Sequence, residues 1–226
     1  MTRPRLLDLY AGHGGAAMGY WRAGFDVFGV DIEPWSFYPF PQIEADAIEY
    51  VREHGHEFDA IHASPPCQGF SMIGNSGVYD RADYPDLIGP TVEALRSSGK
   101  PWVLENVPGA PGAYGLLLCG SMFDGVKFAR HRYFAGEGWH FPAMAPASCN
   151  HGVLSSGSYY SNWGKSLAPT WEGSGRVYLD GLGLPWVPAP RQSSKKDGRI
   201  HGGLIEGIPP AYTEWIGSQL IREVQG

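Results

Sequence analysis

Residues 5–105 alternate short apolar runs with amphipathic stretches, and that alternation restricts the chain to an α/β fold before any chemistry is considered. Arg5-Leu6-Leu7-Asp8-Leu9-Tyr10 reads as a buried strand, and the stretch after Gly15 as a helix to Ala23 that Gly24 closes. A second strand is expected over Phe25–Val30 and a short third near Ile43–Ala45, before a helix from Asp46 to Glu53. Phe58–Ala63 reads as a fourth strand, Asp86–Ser97 as a helix, and Pro101–Leu104 as the start of a fifth strand leading to Glu105. The expected architecture is a doubly wound, mostly parallel sheet. Leu116–Leu118 and Lys127–Phe134 look like a strand pair appended to it. From Gly136 to Gly203 the texture turns to Gly, Ser, Pro and Trp without periodicity, as in an irregular insertion. Order returns at Ile208-Pro209-Pro210, whose prolines suit a helix start.

Three strand ends carry candidate chemistry. Gly12-His13-Gly14-Gly15-Ala16-Ala17 fits G-x-G-x-x-A between strand and helix, where glycines let the backbone approach a ligand at a helix N-terminus. Asp31, ending the second strand, suits a ribose diol. These residues alone indicate a nucleoside cofactor and leave NAD and S-adenosylmethionine equally open. Cys67 follows the fourth strand in Pro65-Pro66-Cys67-Gln68-Gly69-Phe70-Ser71. Two prolines stiffen the backbone there, at the sheet edge where α/β folds place reactive groups, although most lone cysteines are buried apolar residues. Glu105-Asn106-Val107 ends the fifth strand. A carboxyl group near a nucleophilic thiol is what attack on a pyrimidine requires, since cytosine C6 is a poor electrophile until N3 is protonated or strongly hydrogen-bonded.

Charge is uneven along the chain. Residues 1–126 carry seven basic against sixteen acidic side chains, −9 in all. Residues 127–199 carry nine against four, +5, and residues 200–226 add −2. The basic segment is the part suited to a polyanion. Three cysteines, Cys67, Cys119 and Cys149, are too scattered for a disulfide framework and point to a reducing cytoplasm. Cys149-x-His151 is read as structural, because two ligands without a second pair make a weak metal signal, and no metal site is expected. No stretch has the length of a membrane span, and the N-terminus lacks a signal-peptide apolar region.

Taken together, these motifs resemble those of DNA cytosine-5 methyltransferases, and the chain's brevity resembles the compact bacteriophage versions. The likeness covers residues 5–134 and 204–221. It implies a Rossmann-like methyltransferase core at 1–134, a small target-recognition insertion at 135–203 and a helix at 204–226 that returns to the core. It also implies S-adenosylmethionine as cofactor, double-stranded DNA as partner, and a monomer. Tyr10, Ala11, Gly12, His13, Gly14 and Gly15 stand where the family has its cofactor loop. Asp31 and Ile32 match the ribose acid and the residue stacking on adenine, and Asp46, with Ala47, the acid near the adenine amino group. Pro66-Cys67-Gln68 matches the nucleophile motif, with Pro66 also beside the cofactor, and Glu105-Asn106-Val107 the acid motif. Arg130-His131-Arg132 matches the strand whose arginines hold a flipped base and brace the nucleophile loop. The implied reaction is covalent addition of Cys67 to C6 and methylation at C5.

The pattern departs from the family at three places. Glu206, before Ile208, replaces an asparagine near the cofactor; Lys127-Phe128-Ala129 stands where a glutamine precedes the arginines; the insertion is short. Lys165, Arg176, Arg191, Lys195 and Lys196 are candidate phosphate contacts, and Gln68 and Ser71 candidate DNA contacts beside the nucleophile. So small an insertion implies a recognition sequence of about two base pairs. Rival readings are an RNA cytosine-5 methyltransferase on the same core, a catalytically silent DNA-binding module, and an NAD-linked oxidoreductase that gives Cys67 and Glu105 no role.

Overall fold

The computed structural model describes residues 2–66, 86–110, 115–126, 129–150, 179–180, 183–188 and 207–226. In chain order its elements are β1 (Arg5–Leu9), α1 (Gly15–Ala23), β2 (Asp26–Asp31), β3 (Gln42–Glu44), α2 (Ala47–His54), β4 (Ala60–Ala63), α3 (Ile88–Ser97), β5 (Trp102–Asn106), β6 (Leu116–Leu118), β7 (Arg132–Glu137) and α4 (Pro210–Gln225). One seven-stranded sheet runs β3-β2-β1-β4-β5-β7-β6. The five strands from β3 to β5 pair in parallel, whereas β7 is antiparallel to both β5 and β6. The expected doubly wound sheet is therefore present, with an antiparallel edge.

Strand alternation divides the core in two. Leu6, Val27 and Val103 face one side with Ala16, Ala17 and Tyr20 of α1 and Tyr212, Ile216 and Leu220 of α4. Leu7, Leu9, Ile61, Trp102 and Leu104 face the other with Ala47 and Val51 of α2 and Ala94 and Leu95 of α3. Helices on both faces explain why β1, β4 and β5 are buried almost throughout instead of alternating buried with exposed. Helix α2 starts at Asp46, whose Oδ1 accepts from the N–H groups of Ile48 and Glu49 at 2.9 Å each. Among the described residues no helix is long and apolar enough to cross a membrane.

The appended strand differs from expectation. It covers Arg132–Glu137 rather than 127–134, so it crosses the boundary anticipated at 134, and Arg130 precedes it. Its limits follow from pairing with β5, which sets Glu137 opposite Trp102 and Tyr133 opposite Asn106. Short pieces of the segment expected to be an irregular insertion also contribute core, since Leu179, Leu184 and Val187 are fully buried.

Candidate active site

Strand order reverses between β1 and β4, and at their carboxyl ends lies a cavity of about 100 Å³ that opens to solvent. A crevice at such a reversal is where doubly wound sheets bind ligands. Its floor is the loop from β1 to α1. Tyr10, Gly12 and Gly14 have φ of +59°, +50° and +79°, a left-handed path that glycine adopts without steric cost. The Ala11 N–H donates to the Val30 carbonyl at 3.1 Å and the Gly12 N–H to Asp31 Oδ2 at 2.9 Å, which ties the loop to the end of β2. The lead-in to α4 crosses the start of α1 so closely that a Cβ on Gly15 would lie 2.2 Å from the Ile208 carbonyl oxygen. Thr213 Oγ1 donates to the Ala16 carbonyl at 2.9 Å and holds α4 there.

The opposite wall comes from β4, β5 and β7. Asn106 Nδ2 donates to the Pro65 carbonyl at 3.4 Å, while its Oδ1 accepts from the Val107 N–H at 2.8 Å. The end of β5 is thereby tied to the two prolines that follow β4. Glu105 Oε1 pairs with Arg132 Nε at 2.7 Å, with both side chains almost fully buried. The partial dryness of the site strengthens such a pair and orients both groups. Arg130 is also buried, and its carbonyl accepts from the Tyr212 hydroxyl at 2.5 Å. Helix α4 thus touches both α1 and the arginine segment.

Of the residues singled out from sequence, Tyr10, Ala11, Gly12, His13, Gly15, Pro66, Glu105, Arg132 and Ile208 line this one cavity. Gly14, Asp31, Ile32, Asp46, Ala47, Asn106 and Arg130 do not line it. Asp31 and Asn106 instead brace its walls, and Asp46 caps α2. Ile32, beside Asp31, is 66% exposed, an apolar side chain left in water at the end of β2. Cys67, Gln68, Ser71, Lys165, Arg176, Arg191, Lys195, Lys196 and Glu206 lie outside the described residues, as do Lys127 and Phe128.

Two tryptophans escaped the sequence reading. Trp35 lines the cavity, its ring 4.4 Å from that of His13, and the Trp186 indole donates to the His13 carbonyl at 3.2 Å. Neither lies in a motif, and both meet the glycine loop only through folding. Ser64, Pro65, Ala16, Val107 and Gly207 complete the lining.

Residues 4–114 match the model of the C-5 cytosine-specific DNA methylase family. Over 126 residues the chain is 33% identical to Type II methyltransferase M.XorII of Xanthomonas oryzae pv. oryzae, a match covering 48% of this chain and 29% of that protein. Over 85 residues it is 34% identical to Type II methyltransferase M1.HphI of Haemophilus parahaemolyticus, covering 31% and 23%. The chain therefore spans less than a third of either relative. Its fold is similar to that of Schizosaccharomyces pombe Dnmt2 methyltransferase, with a TM-score of 0.61 and 13% identity over 99% of this chain and all of the other.

Proposed function

We propose, from the match of residues 4–114 to the model of the C-5 cytosine-specific DNA methylase family, that this chain transfers a methyl group from S-adenosylmethionine to C5 of cytosine in double-stranded DNA. One observation carries the reading. The glycine loop and the pair Glu105–Arg132 face a single cavity, and Pro66, the residue before Cys67 in the sequence, lines it as well. An oxidoreductase would leave the buried carboxylate–arginine pair without a task.

The residues suit the cofactor. Tight glycine turns let backbone approach a bound nucleoside, Asp31 carries a carboxylate for a ribose diol, and the exposed Ile32 offers an apolar surface to an adenine face. S-adenosylmethionine supplies an electrophilic methyl group on its sulfonium.

Activation of the base rests on residues of the chain. The target cytosine leaves the duplex at a cost of a few kcal/mol for lost stacking and pairing. Cys67, as thiolate, adds to C6 and makes C5 nucleophilic. Glu105, as the carboxylic acid, donates to N3 and accepts from the exocyclic amine, withdrawing electron density from C6 as the sulfur attacks. Arg132 holds the Glu105 carboxyl in place, and Asn106 fixes the root of the loop bearing Cys67. After methylation, loss of the C5 proton regenerates the double bond and expels the Cys67 sulfur. The basic residues of the insertion, Lys165, Arg176, Arg191, Lys195 and Lys196, neutralise backbone phosphate. A monomer acting on a recognition sequence of about two base pairs completes the proposal.

The test is a radiolabelled methyl-transfer assay with duplex DNA and RNA side by side. Label in DNA, abolished in Cys67→Ser, together with a covalent complex trapped on 5-fluorocytosine DNA, is the expected result. Label confined to RNA, or transfer that survives Cys67→Ser, overturns the reading.

A further inference from the structure

Three side chains outside the cavity converge from separate segments of the chain. Cys119 follows β6, His131 immediately precedes β7, and Cys149 lies in the chain that leaves β7. Their ligating atoms all lie within 4.8 Å of one another, and among the described residues this is the one such group of three or more His, Cys, Asp or Glu. His131 Nε2 is 3.4 Å from Cys149 Sγ. With Zn–S of about 2.3 Å and Zn–N of about 2.0 Å, an N···S edge of a tetrahedron is about 3.5 Å. The observed separation is near that edge. The Ser121 hydroxyl donates toward both sulfurs, at 3.2 Å to Cys119 and 3.9 Å to Cys149, and accepts from the Asn150 N–H at 3.0 Å. A donor shared by two sulfurs is the outer partner that thiolate ligands acquire.

We propose that Cys119, His131 and Cys149 bind a zinc ion as three of its four tetrahedral ligands. The proposal is independent of the methyl-transfer reading. It departs from the expectation drawn from sequence, which paired Cys149 with His151, a residue outside the described ones, and anticipated no metal. Two thiolates and an imidazole favour zinc over magnesium or calcium, which take oxygen ligands. On binding, the two thiols release their protons to water, and the two thiolates neutralise the dication.

The position of the cluster gives the ion a task. His131 sits between the buried Arg130 and Arg132, and Arg132 holds Glu105. Around a strand start, successive side chains point to opposite sides. A metal gripping His131 from one side fixes the path that delivers the arginines to the other. It also pins the segment leaving β7 to the end of β6, where the chain departs toward the insertion.

Metal analysis of the full chain, expressed with zinc available and purified under reducing conditions, tests the proposal. One zinc per chain is expected, with a lower melting midpoint after chelation. Cobalt added to the stripped protein produces a thiolate-to-metal charge-transfer absorption. Cys149→Ser and Cys119→Ser lose both the zinc and the cobalt band. Ser121→Ala retains the ion with affinity weakened roughly 10–100-fold. Cys67→Ser keeps one zinc, which separates failure of this site from failure of the nucleophile assignment. Wild-type protein that is metal-free and gives no cobalt band overturns the proposal. So does full zinc content in both single cysteine variants, or a Cys119–Cys149 disulfide in the freshly isolated protein.

Discussion

Glu105 and Arg132 illustrate how much a single contact decides at the scale of the residue. A carboxylate at the end of β5 is an ordinary capping group on its own. The Arg132 guanidinium, its Nε 2.7 Å away, turns it into an oriented group on the cavity wall. In the proposed mechanism Glu105 acts on the base and Arg132 acts through Glu105, and the two roles separate in kinetics. Glu105→Gln is expected to lower kcat by about 10²–10⁴-fold while the Kd for S-adenosylmethionine is unchanged. Arg132→Lys retains the charge but loses the planar fork, so its kcat should fall between those of wild type and Arg132→Ala. Equal loss in Arg132→Lys and Arg132→Ala would show that geometry alone matters. Unchanged turnover in Glu105→Gln would remove the acid from the mechanism. Both residues were legible in the sequence because each sits in a short motif. Trp35 and Trp186 were not, since nothing within a few residues of either indicates that it meets His13.

At the scale of the element, the decisive packing is that of α4 against α1. Gly19 on α1 faces the first turn of α4 so closely that a Cβ there would lie 2.0 Å from Thr213 Oγ1 and 2.2 Å from the Pro210 carbonyl oxygen. A methyl group fits only if the helices separate. Gly19→Ala should therefore destabilise the protein by about 1–3 kcal/mol, the usual cost of overpacking. That is a loss of roughly 2–4 °C in melting midpoint per kcal/mol for a chain of this size. The intrinsic gain in helix propensity from glycine to alanine has the opposite sign, so a higher midpoint would show that the close approach is absent. Strand β7 shows the limit of reading elements from sequence. Ala135-Gly136-Glu137 has no strand pattern of its own, yet it pairs with Leu104-Val103-Trp102. Gly136 supports this by leaving room for the Phe141 ring, which would lie 2.3 Å from a Cβ.

Across the whole molecule, the two sides of the sheet carry different electrostatic burdens. Asp8 and His62 are partners in the β1–β4 register and both are buried, with the Tyr38 hydroxyl donating to Asp8 Oδ2 at 3.1 Å and the Tyr20 hydroxyl 3.1 Å from His62 Nδ1. Burial pushes the His62 imidazole down from its ordinary 6.5 to about 3. The unfolded chain then binds one more proton than the folded one between those values. Stability from this group is full above pH 6.5 and is lost as pH falls toward 3, by about 1.4 kcal/mol per pH unit. Burial raises the Asp8 carboxyl, a shift of opposite sign whose stabilising contribution is lost as pH rises above 3.8 through the folded value. Comparing wild type with His62→Asn in urea titrations at several pH values isolates the histidine. The variant should lack that acid-side slope, and identical slopes would mean that His62 is protonated in the folded state.

The sequence by itself determined the α/β class, the glycine loop and the strand-end motifs around Cys67 and Glu105, because strand period, helix period and turn chemistry act over only a few residues. Tertiary structure alone decided which of those residues share a wall. It set Arg132 on Glu105, laid Ile208 across Gly15, brought Trp35 against His13, and gathered Cys119, His131 and Cys149. Each of these contacts joins segments distant along the chain, so each depends on strand register and helix packing, and neither is encoded within any local stretch of sequence.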